Sequence, residues 1–517
     1  MERIDDAICY RIVVTANRRR YGNTVLLRED PDMNKLTRRR FLEQSLLTAT
    51  AGTAVLGWEE TRAEATSPKR QRVSANDKIH IACIGVNGRG MAHVSAYLGR
   101  DDVELVAICD VDESVIGHAQ DYVTGKGKPK PQGVQDIRKL LEDKSIDAVS
   151  IATPNHWHAL AAIWAMQAGK DVYVEKPVSH NVSEGRRIVE VARKTGRICQ
   201  AGTQSRSHKA CQSAVEFIHS GKLGKVTLAR GLCYKRRDSI GKVDGPQSPP
   251  ATVDYDIWLG PAPQKPVMRK KFHYDWHWFW DYGNGDLGNQ GIHQMDIARW
   301  ALGKNTLPLS VMGLGGRFGY EDDGQTPNTE LSFFDYGDSA LIFEVRGLKT
   351  EGVKGVKIGD IVYGTEGYVV FSDNYGKAVA FDNKDNVVET FTGGGDHFGN
   401  FLSAVRSRKN TDLNGEIEEG HLSSALCHLG NISYRLGKKT SFNAKTKAFG
   451  DDKEAAETFE RFERHLAEND VKLEETNYFL GPTLKLDPSS ERFKENAKAN
   501  AYLTREYRKP FVVPERA

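Results

Sequence analysis

Apolar residues recur along this chain with one texture up to about residue 201 and another beyond it. In the first stretch, short apolar runs at 78–86, 103–110, 148–153, 171–175 and 198–201 alternate with segments of helical period at about 89–98, 156–168 and 183–195. Strands separated by helices of this length predict a parallel, doubly wound sheet covered on both faces, an α/β domain of Rossmann type over 76–201. Beyond 202, runs at 226–233, 309–313, 330–334, 339–345 and 367–371 predict an open, mainly antiparallel sheet, with helices near 289–302 and 421–436. This is a second, α+β domain over 202–450. Residues 451–517 turn charged and helical and end in Pro510-Phe511-Val512-Val513-Pro514, a tail expected to pack on the body.

The first 75 residues follow neither pattern. Thr37-Arg38-Arg39-Arg40-Phe41-Leu42 precedes an uncharged, mildly apolar stretch at 46–56, and Ala63-Glu64-Ala65 then supplies small residues. Basic, apolar and small residues in that order make a signal peptide, here similar to the twin-arginine type. Glu43 stands where a lysine often follows the twin-arginine core. The apolar stretch is far below the ~20 residues that span a bilayer. The expectation is export of a folded protein to the periplasm, with Met33 as the true start and 66–76 as a polar linker. No other membrane contact is expected.

Composition excludes several partners. With 72 Lys and Arg against 69 Asp and Glu, the net charge of +3 gives no reason to expect nucleic acid or an anionic surface. The seven cysteines stand singly, without a C-x-x-C pair, and no disulfide framework is visible. His273, His277 and His293 are spaced too irregularly for a compact ligand set, so no metal is expected.

Chemistry gathers at the carboxyl ends of the predicted parallel strands, where such sheets bind ligands. Gly85, Gly88 and Gly90 follow the first strand and open a helix, with Asn87 and Arg89 between them. Glycine there admits a pyrophosphate close to the backbone, and the helix start presents free N–H groups. The spacing is G-x-x-G-x-G rather than G-x-G-x-x-G, so context carries the reading. Asp110 ends the second strand 20 residues after Gly90, where a carboxylate accepts hydrogen bonds from an adenosine ribose. It would repel a 2′-phosphate, which favours NAD over NADP, although Arg89 softens that preference. Thr153, Pro154, Asn155 and His158, at the end of the next strand, complete the expected cofactor groove.

These motifs, a strand ending Glu175-Lys176-Pro177, and a later G-x-H-x-x-D at Gly291 to Asp296 together resemble the Gfo/Idh/MocA oxidoreductases over about residues 76–440. The segments Asp254 to Pro261 and Trp276 to Trp280 are similar to a signal-bearing bacterial branch of that family. The resemblance implies an NAD-dependent enzyme moving a hydride between nicotinamide and a hydroxyl of a sugar, polyol or sugar derivative. It places Glu175, Lys176 and Pro177 at the nicotinamide, often with the Lys–Pro bond cis, and implies a homodimer or homotetramer. Lys176 is then the group that meets the reacting oxygen, and His293 the candidate general base, with Asp296 one turn on as its possible orienting partner. Gln204, Arg206, Trp258 and Asn289 are the expected substrate contacts, with His277 and Trp278 as further stacking surfaces. Asn289 departs from the family's usual Asp. It holds a hydroxyl but takes no proton, so the step after hydride transfer stays open; Asp286 would substitute only with a differently shaped loop. Two other readings remain. One is a glycosidase or lyase that keeps its NAD and works through a transient keto-sugar. The other is a non-catalytic sugar or nucleotide sensor.

Overall fold

The computed structural model describes residues 77–442 and 448–516. The twin-arginine-type segment, Met33 and the linker lie outside the described residues.

The first domain is a six-stranded, wholly parallel sheet in the order β3-β2-β1-β4-β5-β6. Its strands are β1 (Ile79–Ile84), β2 (Val103–Cys109), β3 (Gln132–Val134), β4 (Ala148–Ile151), β5 (Asp171–Val174) and β6 (Cys199–Ala201). The helices are α1 (Arg89–Leu98), α2 (Glu113–Gly125), α3 (Ile137–Glu142), α4 (Asn155–Gln167) and α5 (Val182–Thr195). Local chemistry sets their ends. Asn181 accepts from the Glu184 backbone N–H at 3.0 Å while Glu184 accepts from the His180 N–H at 2.7 Å, which caps α5. Gly196, at φ +63°, stops that helix in a conformation other residues adopt at a cost. The chain order reverses between β1 and β4, and the cleft described below opens beyond the carboxyl ends of those strands.

The second domain is built on a twelve-stranded sheet among the described residues, in the order β14-β13-β12-β11-β7-β10-β9-β8-β16-β15 with β17 also on β8. Its strands are β7 (Val226–Cys233), β8 (Ser310–Gly316), β9 (Thr329–Asp335), β10 (Ala340–Arg346), β11 (Ile358–Gly364), β12 (Gly367–Phe371), β13 (Lys377–Asp382), β14 (Val387–Thr392), β15 (Lys438–Ser441), β16 (Asn477–Leu480), β17 (Leu484–Asp487) and β18 (Arg492–Phe493), the last paired with β17. Among the described residues of this sheet only β7 and β10 pair in parallel. Its helices are α6 (Lys209–His219), α7 (Tyr255–Leu259), α8 (Gly285–Asn289), α9 (Gly291–Ala301), α10 (His397–Ser407), α11 (Ile417–Arg435) and α12 (Lys453–Ala467). One face of the sheet packs on α6, α9 and α11 through Phe343, Leu341, Met295 and Leu426. The opposite face is partly covered. α12 lays Phe459, Phe462 and Leu466 over Leu314 and Leu331 of β8 and β9.

Two segments cross the domain limits read from the sequence. α10 returns to the first sheet and buries Phe401, Leu402 and Val405 against Ile81, Ile108 and Tyr173, sharing that face with α1 and α2. The C-terminal segment adds β16 and β17 to the second sheet, then seats Phe511 and Val513 in the core of the first domain beside α4. Neither element can bury its apolar face without the other domain, so the two domains share their cores. The Phe511 ring meets Trp157 and Trp164 at 5.5 and 6.3 Å, with the Arg138 and Arg508 guanidinium groups over it. Truncating a buried Phe costs about 3–5 kcal/mol. Phe511→Ala should therefore lower the denaturant midpoint strongly, whereas Val512→Ala, on a side chain 41% exposed, should leave it nearly unchanged.

Candidate active site

A cleft of about 610 Å³ runs along the carboxyl ends of β1, β2, β4 and β5 and out over the second domain. At one end lie Gly85, Asn87, Gly88, Arg89 and Asp110; Thr153, Pro154, Asn155 and His158 follow; Glu175, Lys176 and Asn289 lead to the far end. The glycines differ in what they do. A Cβ on Gly85 would sit 2.7 Å from the Thr153 nitrogen, and one on Gly90 would sit 1.8 Å from the Gly85 oxygen, so both serve close packing. Gly88, at φ +58°, faces open space. α1 begins just after it with no side-chain cap and no acidic residue in its first turn, which leaves its N–H groups for an anion. The Thr153 hydroxyl beside it is buried without a partner. An empty Cβ position, a bare helix start and an orphaned hydroxyl in one groove fit a dinucleotide pyrophosphate.

Asp110 closes the adenosine end. Its oxygens accept from the backbone N–H groups of Val86 (2.8 Å) and Asp112 (3.1 Å), which fixes the carboxylate; burial pushes its pKa up against those bonds. Asn155 donates to Asn284 at 3.1 Å. The ring nitrogens of His158 lie 2.7 Å from the carbonyl oxygens of Pro177 and Thr153, so its ring ties two strand ends together.

Glu175 is a fastener. It is buried and accepts from Arg89 Nε at 2.7 Å, from His93 Nε2 at 3.1 Å and from the Lys176 backbone N–H at 3.2 Å. Burial alone would raise its pKa, yet Arg89 and His93 hold it well below the carboxylate range. Gly202 makes room for it, since a Cβ there would come within 2.9 Å of the carboxylate. The next peptide, Lys176–Pro177, is cis. Lys176 Nζ crosses to the second domain and donates to the Asn289 carbonyl at 2.8 Å. Desolvation lowers the Lys176 pKa; Glu175 opposes that shift, and Arg89, Lys235 and Arg237 add to it. His293 sits four residues beyond Asn289 with Nδ1 buried and unpartnered, and burial followed by Lys176 keeps its pKa well below the usual range. It is a neutral imidazole behind the cleft wall rather than in it.

Several expected contacts lie elsewhere. Arg206 does not face the cleft. It is buried with Nε 3.0 and 2.8 Å from the Asp296 oxygens and Nη2 2.9 Å from Glu419, its guanidinium 5.1 Å over Trp300. Asp296, bound also by the Ser423 hydroxyl at 2.7 Å, is thereby committed to Arg206 and cannot orient His293. Gln204 lies in the same 3-10 turn, Gln204–Ser207, away from the cleft lining. Trp258 lines the cleft only by an edge, since its ring packs on Tyr255, Phe272 and Tyr282 under Arg269. His277 lines the cleft, stacked 3.7 Å from Trp276, while Trp278 lies buried under Arg237. His273 pairs with Asp112 at 3.0 Å. Asp286 holds Arg237 through two bonds of 2.6 and 2.8 Å and so does not replace a carboxylate at 289. The lining also includes Lys235, Arg237, Tyr274 and Gln290, none of them among the expected site residues. The signal for two of them is plain in retrospect, because Tyr234-Lys235-Arg236-Arg237 directly follows the apolar run of β7.

The glycines make a sharp test. Gly88→Ala should cost only about 1–2 kcal/mol of stability for its left-handed backbone while weakening dinucleotide binding about ten-fold or more, because its methyl enters the space left for the ligand. Gly90→Ala should destabilise the fold itself. Calorimetric titration beside thermal unfolding separates the two outcomes.

Comparison with known proteins agrees with this geometry. Residues 79–203 match the family model described as oxidoreductase family, NAD-binding Rossmann fold, and residues 214–469 match the oxidoreductase family's C-terminal alpha/beta domain. A glycosyl hydrolase family 109 protein of Shewanella pealeana is 36% identical over 178 residues, which span 32% of this chain and 39% of that protein. One from Shewanella baltica is 37% identical over 127 residues, 24% of this chain and 28% of that protein. The chain thus matches well under half the length of these curated relatives. The fold is shared with the WlbA dehydrogenase from Bordetella pertussis, solved in complex with NADH and UDP-GlcNAcA, at a TM-score of 0.51 and 19% identity over 68% of this chain and 97% of that one. An oxidoreductase domain protein from Kribbella flavida gives 0.53 and 20% over 68% and 96%. With an NAD-binding Rossmann domain joined to the same family's C-terminal domain, this chain belongs to the Gfo/Idh/MocA oxidoreductases, with NAD as its cofactor.

Proposed function

We propose that this protein transfers a hydride between NAD and a hydroxyl-bearing carbon of a sugar or polyol, with Lys176 handling the hydroxyl proton. The observation that supports this most directly is the position of Lys176. Its amine stands at the end of β5, in the cleft, tethered to Asn289 of the other domain and shifted towards the neutral form by burial. Bound NAD supplies the hydride acceptor. As the C–H electron pair leaves the carbinol carbon, the O–H proton passes to the Lys176 amine in the deprotonated form that burial favours, so carbonyl product and protonated lysine form together. The ammonium then hydrogen-bonds the carbonyl oxygen, which favours the reverse step by the same contact. Asn289 is placed to hold a neighbouring hydroxyl.

A second reading is favoured by the curated relatives, which are named as glycosyl hydrolase family 109 proteins. Here a ring hydroxyl is oxidised to a ketone with its hydride passing to NAD, the aglycone leaves as its alcohol by elimination, water adds in its place, and the hydride returns to the ketone. The same reading gains support from the twin-arginine-type segment at 37–42, because a protein exported folded to the periplasm carries its NAD with it. Assembly as a homodimer or homotetramer would use the parts of the second sheet that α12 leaves uncovered.

The two readings part on stoichiometry. The dehydrogenase accumulates NADH equal to the keto-product, whereas the glycosidase releases cleaved sugar with no net NADH. Both require Lys176. Lys176→Ala should slow hydride transfer about a hundred-fold or more while leaving NAD affinity within a few-fold. An unchanged rate in that variant removes the assignment.

A further inference from the structure

The charges lining the cleft do not balance at its far end. Four cations face it: Arg89, Lys176, Lys235 and Arg237. Arg89 is matched by Glu175 at 2.7 Å, and Arg237 by both oxygens of Asp286. Lys176 is committed to the reacting oxygen in the function proposed above. Lys235 remains. It follows β7, half-buried, and its Nζ donates only to the Gln290 side-chain oxygen at 3.2 Å; it makes no ion pair among the described residues. A half-buried ammonium with one neutral acceptor loses hydration without recovering it.

Its neighbours favour an anion rather than another role. Gln290 adjoins Asn289, whose carbonyl holds Lys176 Nζ, so Lys235 stands beside the reacting position and away from Asp110 and the glycine loop. The Gln290 amide nitrogen is engaged by the Tyr375 hydroxyl at 3.2 Å, which fixes the side-chain oxygen towards Lys235. Arg237, whose charge Asp286 already matches, also donates at 3.0 Å to the exposed Tyr274 hydroxyl. Its charge is thereby matched on the protein side, so a second carboxylate there would meet the negative charge of Asp286. The surplus is therefore one positive charge, delivered by a point-like ammonium. This matches one carboxylate, and it is too little for a phosphate dianion.

We propose that the substrate is a sugar acid whose carboxylate is held by Lys235, making this lysine the residue that selects acids over neutral sugars. The inference rests on the proposed sugar-hydroxyl chemistry for its site but is read by binding alone, so it stands or falls separately from hydride transfer.

The test uses NAD-loaded full-length protein and matched ligand pairs: glucuronate with glucose, galacturonate with galactose, and the corresponding sugar 6-phosphates. Calorimetric titration should show at least one uronate binding about ten-fold or more tightly than its neutral partner, the effect of one charge-assisted hydrogen bond. Lys235→Gln should bring that ratio close to one, and Lys235→Arg should restore part of it. Equal binding of acid and neutral partners, no binding by any uronate, or a preference that survives Lys235→Gln would overturn the proposal. Tighter binding of a sugar phosphate than of its uronate would overturn the single-charge assignment. Nicotinamide absorbance, followed in the same samples, reports hydride transfer independently. A uronate preference without reduction would count against the dehydrogenase chemistry and not against Lys235.

Discussion

One buried carboxylate holds the working parts of this molecule together. Glu175 lies at the end of β5, and a charge in that position is tolerable only if it is fully matched. It is matched by Arg89 at the start of α1, by His93 one turn further along that helix, and by the backbone of the residue after it. The glycine loop that receives the dinucleotide and the strand that carries Lys176 are thus joined through a single side chain. Gly202, at the end of β6, has no side chain because the carboxylate occupies that space. The second domain closes the arrangement from the other side, where the Asn289 carbonyl takes the Lys176 ammonium.

The electrostatic result is graded along the cleft. At the adenosine end Asp110 is pinned by two backbone N–H groups and presents negative charge. In the middle, Arg89 and Glu175 cancel. At the far end Lys235 leaves a positive field, with Arg237 neutralised by Asp286. Such a gradient orients a dinucleotide whose ribose hydroxyls seek the carboxylate. It also depresses the lysine that must accept a proton, because each neighbouring cation disfavours its charged form. Desolvation and like charge act together on Lys176, and only Glu175 resists them.

Much of this was legible in the chain, and the parts that were not share a physical reason. The glycine loop, Asp110, Thr153 to Asn155, His158 and Lys176 sit at strand ends, where local sequence sets backbone direction, and all of them line one cleft. Arg206 also follows a strand, but its direction is set by Asp296, 90 residues on, and by Glu419. No local pattern announces that pairing. The same holds for α10, whose apolar face looks like any amphipathic helix of the second domain yet packs on the first sheet. Phe511 was recognised as part of a packing tail, while its seat between Trp157 and Arg508 depends on contacts more than 300 residues apart in one direction and three in the other. The helix that partly covers the sheet's outer face, Lys453–Ala467, lies in the charged segment beyond residue 450, and its seat on β8 and β9 is likewise set by distant contacts.

The central claim is that Glu175 sets both the position and the protonation of Lys176. Isotope-edited NMR titration of the Lys176 side chain tests it without a substrate, in wild type and in Glu175→Gln. The amide keeps the size of the side chain and removes the one charge that raises the lysine's pKa. The account predicts that Lys176 titrates below the ordinary lysine range in wild type and at still lower pH in the variant. A midpoint at the ordinary lysine value, or one that Glu175→Gln leaves in place or moves upward, would contradict it.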